Sequence, residues 1–362
     1  MSTSQTSSTF INNVSKLLPL IAFSIPFAIL YVLNPDSFEL MWKGRTFYIF
    51  FLWLILMELI LNWDKMGPPK IRHLKSVRTL GFITAIILPF LYILAANWWG
   101  LNSAILNFGT SDIARYINLP SQQYANIVIY LPLSIEYLVF TILFVFLAST
   151  YFGRDQLSSF SLSTVFLGVV GIIYTIDTLF PYGRFSPFQM IVPTTTSLAA
   201  TVLNVMGFST LMTTKGYGQY GMLTTLTVTA QNGANAVFNI AWVCSGIESL
   251  LIYSIVTLLF LKNTVISTKQ RILYFAVGAG ITYFINALRI ATIFIIAINE
   301  GVNSSAVQTF HNFTGQLYSI SWIMAYPLII LACQSCWSRM SRFRTNMKQK
   351  LESSTSLDVS GT

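Results

Sequence analysis

Runs of about 20 apolar residues recur along this chain, and they constrain its fold more than any other feature. A helix needs about 20 residues to cross ~30 Å of hydrocarbon at ~1.5 Å per residue. Inside lipid the backbone groups must bond within their own segment, so each run is predicted to be helical. Eight runs qualify: 17–33, 46–62, 79–96, 126–149, 161–180, 241–261, 272–297 and 316–337. The sequence therefore predicts an all-α, polytopic membrane bundle of about eight transmembrane helices.

Composition excludes several other classes. Charged residues make up 9% of the 362 residues and hydrophobic residues 54%, whereas soluble domains carry roughly 25% charge. This excludes a soluble enzyme and a disordered chain, and three cysteines are too few for a disulfide framework. The formal charge of +9 comes from basic residues in short loops between apolar runs, a pattern of membrane topology. We therefore expect no nucleic-acid partner.

A ninth apolar segment, 190–213, is rich in Thr and Ser. The distribution of lysines and arginines indicates whether this segment crosses the membrane. If it does not cross and the N-terminus is inside, most lysines and arginines are cytoplasmic. If it crosses, the last loop and the tail move outside, and the bias is reversed. The tendency of basic residues to stay inside thus favours eight spans, two cytoplasmic termini and a segment 190–213 at the outer interface.

The stretch 214–240 contains several glycines and alternates Thr with Val. This pattern predicts a short extended segment or a hairpin with its turn at Asn232-Gly233. The expected organisation is then a polar tail (1–16), an N-terminal transmembrane bundle (17–189) and a core (190–338). This core comprises the extracytoplasmic interfacial segment 190–240 and three spans. A basic and then disordered cytoplasmic tail (339–362) completes the chain.

Charged residues within predicted spans are few, and each costs ~2.5–3.5 kcal/mol to insert. Glu58 and Asp177 lie near span ends, where they can reach water, while Glu136 is either structural or lines a cavity. Arg289 and Glu248 lie at similar depths on neighbouring spans. They could form an ion pair that joins two helices, an anion- or oxyanion-binding site in a hydrated cavity, or both.

Cys244 lies four residues before Glu248, which would put both on one helical face. On the predicted topology Cys244, Arg289 and His311 all lie at the outer ends of consecutive spans. Histidine is a suitable base for a thiol near neutral pH, and a fixed cation can stabilise an oxyanion. These groups favour cysteine acyl transfer. No residue cluster has metal-ligand spacing, so we expect neither metal nor cofactor.

Three short motifs resemble those of the exosortase/archaeosortase family. The run CSGIESL at 244–250 resembles its CSGI-x-SL signature, NALRI at 286–290 its N-x-x-R-I motif, and HNFTG at 311–315 its H-x-x-x-G motif. The order and spacing also fit, and the resemblance is strongest over 190–330. The long divergent N-terminal half suggests an archaeal branch, namely the thaumarchaeal one.

The resemblance implies a multi-span cysteine protease or transpeptidase of the cell membrane, with its active site on the extracytoplasmic side. Its partners would be surface proteins that end in a short motif, a hydrophobic span and a basic tail. A membrane lipid, another amine or water would accept the product. By motif, Cys244 would be the nucleophile, Arg289 the electrostatic stabiliser and His311 the acid/base. The supporting residues would be Ser245, Gly246, Glu248, Asn286 and Gly315.

One supporting residue, Glu248, departs from this pattern. An acidic side chain at this position disfavours a nearby thiolate unless Arg289 neutralises it.

Two other functions stay open. A membrane transporter or channel could instead use Glu248 and Arg289 as an intramembrane pair, although the two halves of the chain show no paired broken spans. A purely structural subunit would leave Cys244 unreactive.

Overall fold

The computed structural model describes residues 15–336 except 41–42, 64–65, 67–76, 117–123, 181–184, 217–221, 263, 265 and 316. Long helices account for most of these residues. They are α1 (Leu18–Leu33), α2 (Thr46–Leu61), α3 (Val77–Asn97), α4 (Tyr124–Tyr151), α5 (Ser161–Leu179), α6 (Ile191–Val205), α7 (Ile247–Lys262), α8 (Thr268–Glu300) and α9 (317–336). Short helical segments connect them: Asp36–Glu39, Leu101–Phe108, Gly109–Ile113, Ala114–Tyr116, Arg154–Phe160, Ser186–Gln189, Trp242–Ser245, Ser305–Thr309 and Phe310–Thr314. The predicted tails 1–16 and 339–362 lie almost entirely outside the described residues.

Within the described part of the chain, five helices are long and apolar enough to cross a membrane. Their bounds are Thr79–Asn97, Ile129–Tyr151, Arg154–Leu179, Thr268–Glu300 and Ser305–Cys336. The other three predicted spans correspond to α1, α2 and α7, which have 16 residues each and measure about 24 Å at the usual helical rise. The mostly helical, multi-span class is confirmed, and the total of eight spans stays a prediction.

The predicted hairpin is present, and it belongs to a three-stranded sheet. The strands β1 (Ser209–Gly216), β2 (Met222–Thr229) and β3 (Asn235–Ile240) lie in the order β1-β2-β3. The turn between β2 and β3 has Gly233 at φ +84°, a conformation that favours glycine. The sequence did not predict β1, because its first residues fall in the apolar segment 190–213. That segment is a 15-residue helix, α6, followed by a strand.

The chain divides into two compact units. Unit 1 comprises residues 1–194, 213–225 and 239–242, and unit 2 comprises 195–212, 226–238 and 243–362. The core of unit 1 is aromatic: the ring of Phe27 stacks on that of Tyr48 at 4.2 Å and meets that of Phe140 edge-on at 5.2 Å. Such pairs add to the free energy gained by burying the rings.

Unit 1 also buries acidic groups that were predicted to reach water. Glu58 is fully buried and accepts hydrogen bonds from the backbone N–H groups of Leu162 and Ser163 at 3.0 Å, so it caps the first turn of α5. Asp177 pairs with Lys43 at 2.6 Å. The expectation of snorkelling side chains is wrong for both Glu58 and Asp177, because each has a partner inside the protein.

Glu136, whose role the sequence left open, is structural. Its two carboxylate oxygens accept hydrogen bonds from the Arg45 guanidinium at 2.7 and 2.8 Å, and one of them accepts a third from the Tyr48 hydroxyl. Bidentate pairing of this kind compensates for much of the cost of burying a charge.

Unit 2 is built around the 33-residue helix α8. The hydroxyl of Tyr253 on α7 donates to the Phe275 carbonyl on α8 at 2.8 Å, and Trp322 on α9 donates to Thr282 on α8 at 3.1 Å. A Cβ atom at Gly278 would collide with the hydroxyl of Tyr253 and the ring of Tyr326. These contacts fix the three helices against one another and so fix the side chains on α8.

Candidate active site

Cys244 lies on a sharp turn between a strand and a helix. Strand β3 ends at Ile240, a 3-10 turn covers Trp242–Ser245, and α7 begins at Ile247. Gly246, between turn and helix, has φ +88°, which breaks any helix that would run through it. The expectation that Cys244 and Glu248 share one helical face is therefore wrong, and α7 begins at Ile247 rather than near residue 241.

Two side chains hold this turn from unit 2. The amide of Asn286 on α8 donates to the carbonyl oxygen of Cys244 at 3.0 Å. A Cβ atom at Gly246 would lie 2.7 Å from the Asn286 Cγ atom, so glycine is what permits this approach. On α6, the Thr195 hydroxyl lies 3.4 Å from the carbonyl oxygen of Ser245 and donates to the Tyr283 hydroxyl at 2.6 Å.

The thiol of Cys244 lies beside the imidazole of His311. The Cys244 Sγ atom is 3.8 Å from Nε2 of His311, a distance at which a sulfur can exchange a proton with the ring. On the other side of the ring, Nδ1 is 2.9 Å from Oδ1 of Asn312. His311 is half-buried in the π-helical turn Phe310–Thr314, and such turns are frequent at functional sites.

Arg289 fastens the turn that carries His311. One of its terminal nitrogens donates to the carbonyl oxygen of His311 at 2.8 Å, while its Nε is buried without a hydrogen bond. A Cβ atom at Gly315 would lie 3.0 Å from that Nε and 2.8 Å from the carbonyl oxygen of Phe310. The glycine of the HNFTG run thus gives the guanidinium room beside the turn.

Glu248 is the second residue of α7, and its Oε1 atom is buried without a hydrogen bond. No ion pair joins Glu248 to Arg289, two residues that the structure describes. The expectation of a Glu248–Arg289 ion pair, on which the transporter interpretation depended, is therefore wrong. The charge of Arg289 acts on Glu248 only at longer range.

The electrostatic setting of the thiol combines opposing effects. Cys244 lies three residues before the first residue of α7 in the chain, and a nearby positive charge favours its thiolate form. The guanidinium of Arg289 interacts with Cys244 in the same sense, whereas a charged Glu248 would oppose it.

Among the described residues, no three His, Cys, Asp or Glu side chains are grouped so that they could hold a metal ion.

The family model described as transmembrane exosortase matches residues 41–328. The chain belongs to this family. Exosortases are in general multi-pass membrane proteins that process surface proteins bearing C-terminal sorting signals, and they are generally cysteine transpeptidases. Neither a curated protein nor a solved structure matches the chain significantly. The thaumarchaeal branch stays a prediction.

The structure brings together the three residues that the motifs of this exosortase singled out, Cys244, Arg289 and His311. Of the supporting residues, Asn286, Gly246 and Gly315 make the contacts described above, and Ser245 is buried. Sequence reasoning missed Thr195 and Asn312. The signal for Asn312 was its place inside the HNFTG run, whereas Thr195 stood in a Thr-rich segment that was interpreted only for its topology.

Proposed function

We propose that this exosortase is a cysteine transpeptidase that uses Cys244 as nucleophile, His311 as acid and base, and Arg289 as the cation that stabilises negative charge. The observation that carries the proposal is the 3.8 Å distance between the Cys244 Sγ atom and Nε2 of His311. At this distance a nucleophile from one family motif lies beside a base from another.

In the first step the Cys244 thiol gives its proton to Nε2 of His311, and the sulfur attacks the carbonyl carbon of the scissile peptide bond. A C–S bond forms, and negative charge develops on the carbonyl oxygen. Arg289, whose buried Nε still has a free hydrogen-bond donor, supports this charge. The C–N bond then breaks, and His311 returns the proton to the leaving amine.

In the second step an amine or a water molecule attacks the thioester. His311 accepts a proton from this nucleophile, the C–S bond breaks, and Cys244 leaves as a thiolate that regains its proton from His311. Attack by an amine joins the surface protein to a new carrier, and we propose a membrane lipid as that carrier. Attack by water makes the enzyme a protease.

The membrane arrangement belongs to the same proposal. Positive charge favours eight spans with both termini in the cytoplasm, which puts the Cys244 turn on the extracytoplasmic side of the cell membrane. The substrate would be a surface protein with a short motif, a hydrophobic span and a basic tail. The interfacial segment 190–240 and the three following spans would form its recognition and catalytic core.

A reporter assay tests this proposal. A surface protein with a C-terminal hydrophobic span and basic tail, taken from the same genome, is co-expressed with the full-length chain, and loss of its tail is measured. We expect Cys244→Ala to abolish processing at unchanged enzyme level. The matched control is Cys336→Ala, which removes an exposed thiol and should process normally. Processing by Cys244→Ala at the wild-type rate would overturn the proposal.

A further inference from the structure

Both ring nitrogens of His311 have partners, and the two partners differ in chemistry. Nε2 faces the Cys244 sulfur at 3.8 Å, and Nδ1 faces Oδ1 of Asn312 at 2.9 Å. A neutral imidazole has one N–H donor and one acceptor nitrogen. When Oδ1 of Asn312 accepts from the neutral ring, the N–H lies on Nδ1 and the lone pair on Nε2 faces the thiol.

We infer that Asn312 is a positioning residue that completes a Cys244–His311–Asn312 array, with the amide oxygen fixing the tautomer and direction of the imidazole. This inference rests on the proposed function. Without the bond to Asn312, the proton could occupy Nε2, and the ring could not act as a base toward the sulfur. An analogous role is played by the third residue in other nucleophile–base pairs.

The backbone of this turn is held independently of Asn312. The Arg289 guanidinium binds the His311 carbonyl oxygen at 2.8 Å, and the π-helical turn Phe310–Thr314 sets the position of the residue. The side chain of Asn312 is exposed, so its removal opens no cavity in a packed core. Its effect is therefore expected in the orientation and titration of the ring rather than in the stability of the fold.

A neutral partner also has a predictable consequence for pH dependence. The titratable or charged groups of the cluster around the ring are Cys244, Arg289 and, beyond Arg289, Glu248. In Asn312→Asp all three stay in place, and a carboxylate replaces the amide oxygen beside Nδ1. The added negative charge favours the imidazolium, so the acidic limb of the processing rate should move to higher pH. In Asn312→Ala the rate should fall at every pH by roughly 10- to 100-fold.

Two measurements on the full-length enzyme in membranes test this inference. The first is the pH profile of reporter processing. The second is the pH dependence of iodoacetamide alkylation at Cys244, followed by mass spectrometry with Cys333 and Cys336 as exposed reference thiols. Asn303→Ala is the matched control, because Asn303 is an exposed asparagine in the same connecting segment. Alkylation needs no substrate and so reports the pairing of thiol and imidazole directly.

We expect Asn312→Ala to slow both processing and alkylation of Cys244, while alkylation of Cys333 and Cys336 and all rates of Asn303→Ala stay unchanged. We expect Asn312→Asp to keep activity with a shifted acidic limb. Wild-type profiles in both Asn312 variants would overturn the inference. If Cys244→Ala abolishes processing in the same experiment, the proposed function stands and only the role of Asn312 falls.

Discussion

The Asn286 amide and the Cys244 carbonyl oxygen are joined by a hydrogen bond of 3.0 Å. Asn286 and Arg289 lie three residues apart on α8 and so share one face of that helix. One residue holds the backbone of the nucleophile, and the other holds the backbone of the base at His311. The N-x-x-R spacing therefore lets a single rigid helix set the distance between two segments that are far apart in the chain.

The Asn286 bond leads to a first prediction. In Asn286→Asp the donor is replaced by an oxygen that repels the Cys244 carbonyl, so the turn should shift while the side-chain volume stays the same. We expect processing of the reporter to fall by about tenfold or more, since an unsatisfied buried carbonyl costs about 1–3 kcal/mol. Asn239→Asp is a useful comparison, because Asn239 lies in an exposed position on β3. Equal rates in Asn286→Asp and the wild type would contradict the prediction.

The glycine beside the nucleophile leads to a second prediction. In Gly246→Ala a Cβ atom would have to share the space of the Asn286 side chain at a φ of +88°, a conformation that costs a non-glycine residue about 1–3 kcal/mol. We expect a lower melting temperature in detergent and a loss of processing. Gly280→Ala is the control, since nothing lies within 4 Å of a Cβ at that helical position. If the two variants have the same melting temperature and the same processing rate, the close approach at Gly246 is not important.

The cation leads to a third prediction. Arg289→Ala should lower the processing rate by roughly 10²–10³-fold, the effect of losing one donor to a developing oxyanion. Arg289→Lys keeps the positive charge but loses the planar guanidinium with its several N–H donors, so we expect partial activity. Arg271→Ala provides the comparison, because Arg271 also lies on α8 and donates to a backbone carbonyl, that of Thr264 at 2.8 Å. A rate in Arg289→Ala no lower than in Arg271→Ala would rule out an electrostatic role.

The buried carboxylate of Glu58 leads to a fourth prediction. Glu58→Ala removes the acceptor of two backbone N–H groups and of the Ser163 hydroxyl at the start of α5. Hydrogen bonds to a charged group contribute about 1.5–3 kcal/mol, so the free energy of unfolding should drop by at least that amount. Thermal unfolding in detergent measures it, with Glu300→Ala at an exposed position as the reference. No difference between the two variants would show that the cap is dispensable.

Apolar run length predicted most of the helices of this exosortase well, because the lipid requirement and the 1.5 Å rise leave few alternatives. Apolar run length did not predict where α7 begins. A hydropathy pattern cannot register that Gly246 adopts a positive φ, and so it joined the Cys244 turn to the helix. It also missed β1, because the first residues of this strand lie in the same apolar segment as α6.

The sequence predicted some residues of the candidate site but not all of their contacts. The motifs singled out Cys244, Arg289 and His311, and the fold brings these three together in unit 2. The Glu248–Arg289 pair was inferred from equal depth alone, and depth says nothing about the direction in which each side chain leaves its helix. Thr195 lies 50 residues before Ser245, whose carbonyl it approaches, so a single sequence could not reveal that contact.

In the proposed mechanism Cys244 forms a covalent bond with its substrate. The most direct measurement uses excess enzyme in membranes, a limiting amount of the reporter, acid quenching over a time course and mass spectrometry of the Cys244 peptide. We expect a thioester between the Cys244 sulfur and the new C-terminus of the reporter, which hydroxylamine releases. A cleaved reporter with its acyl group on a different residue, or with the Cys244 peptide unmodified at every time point, would contradict this mechanism.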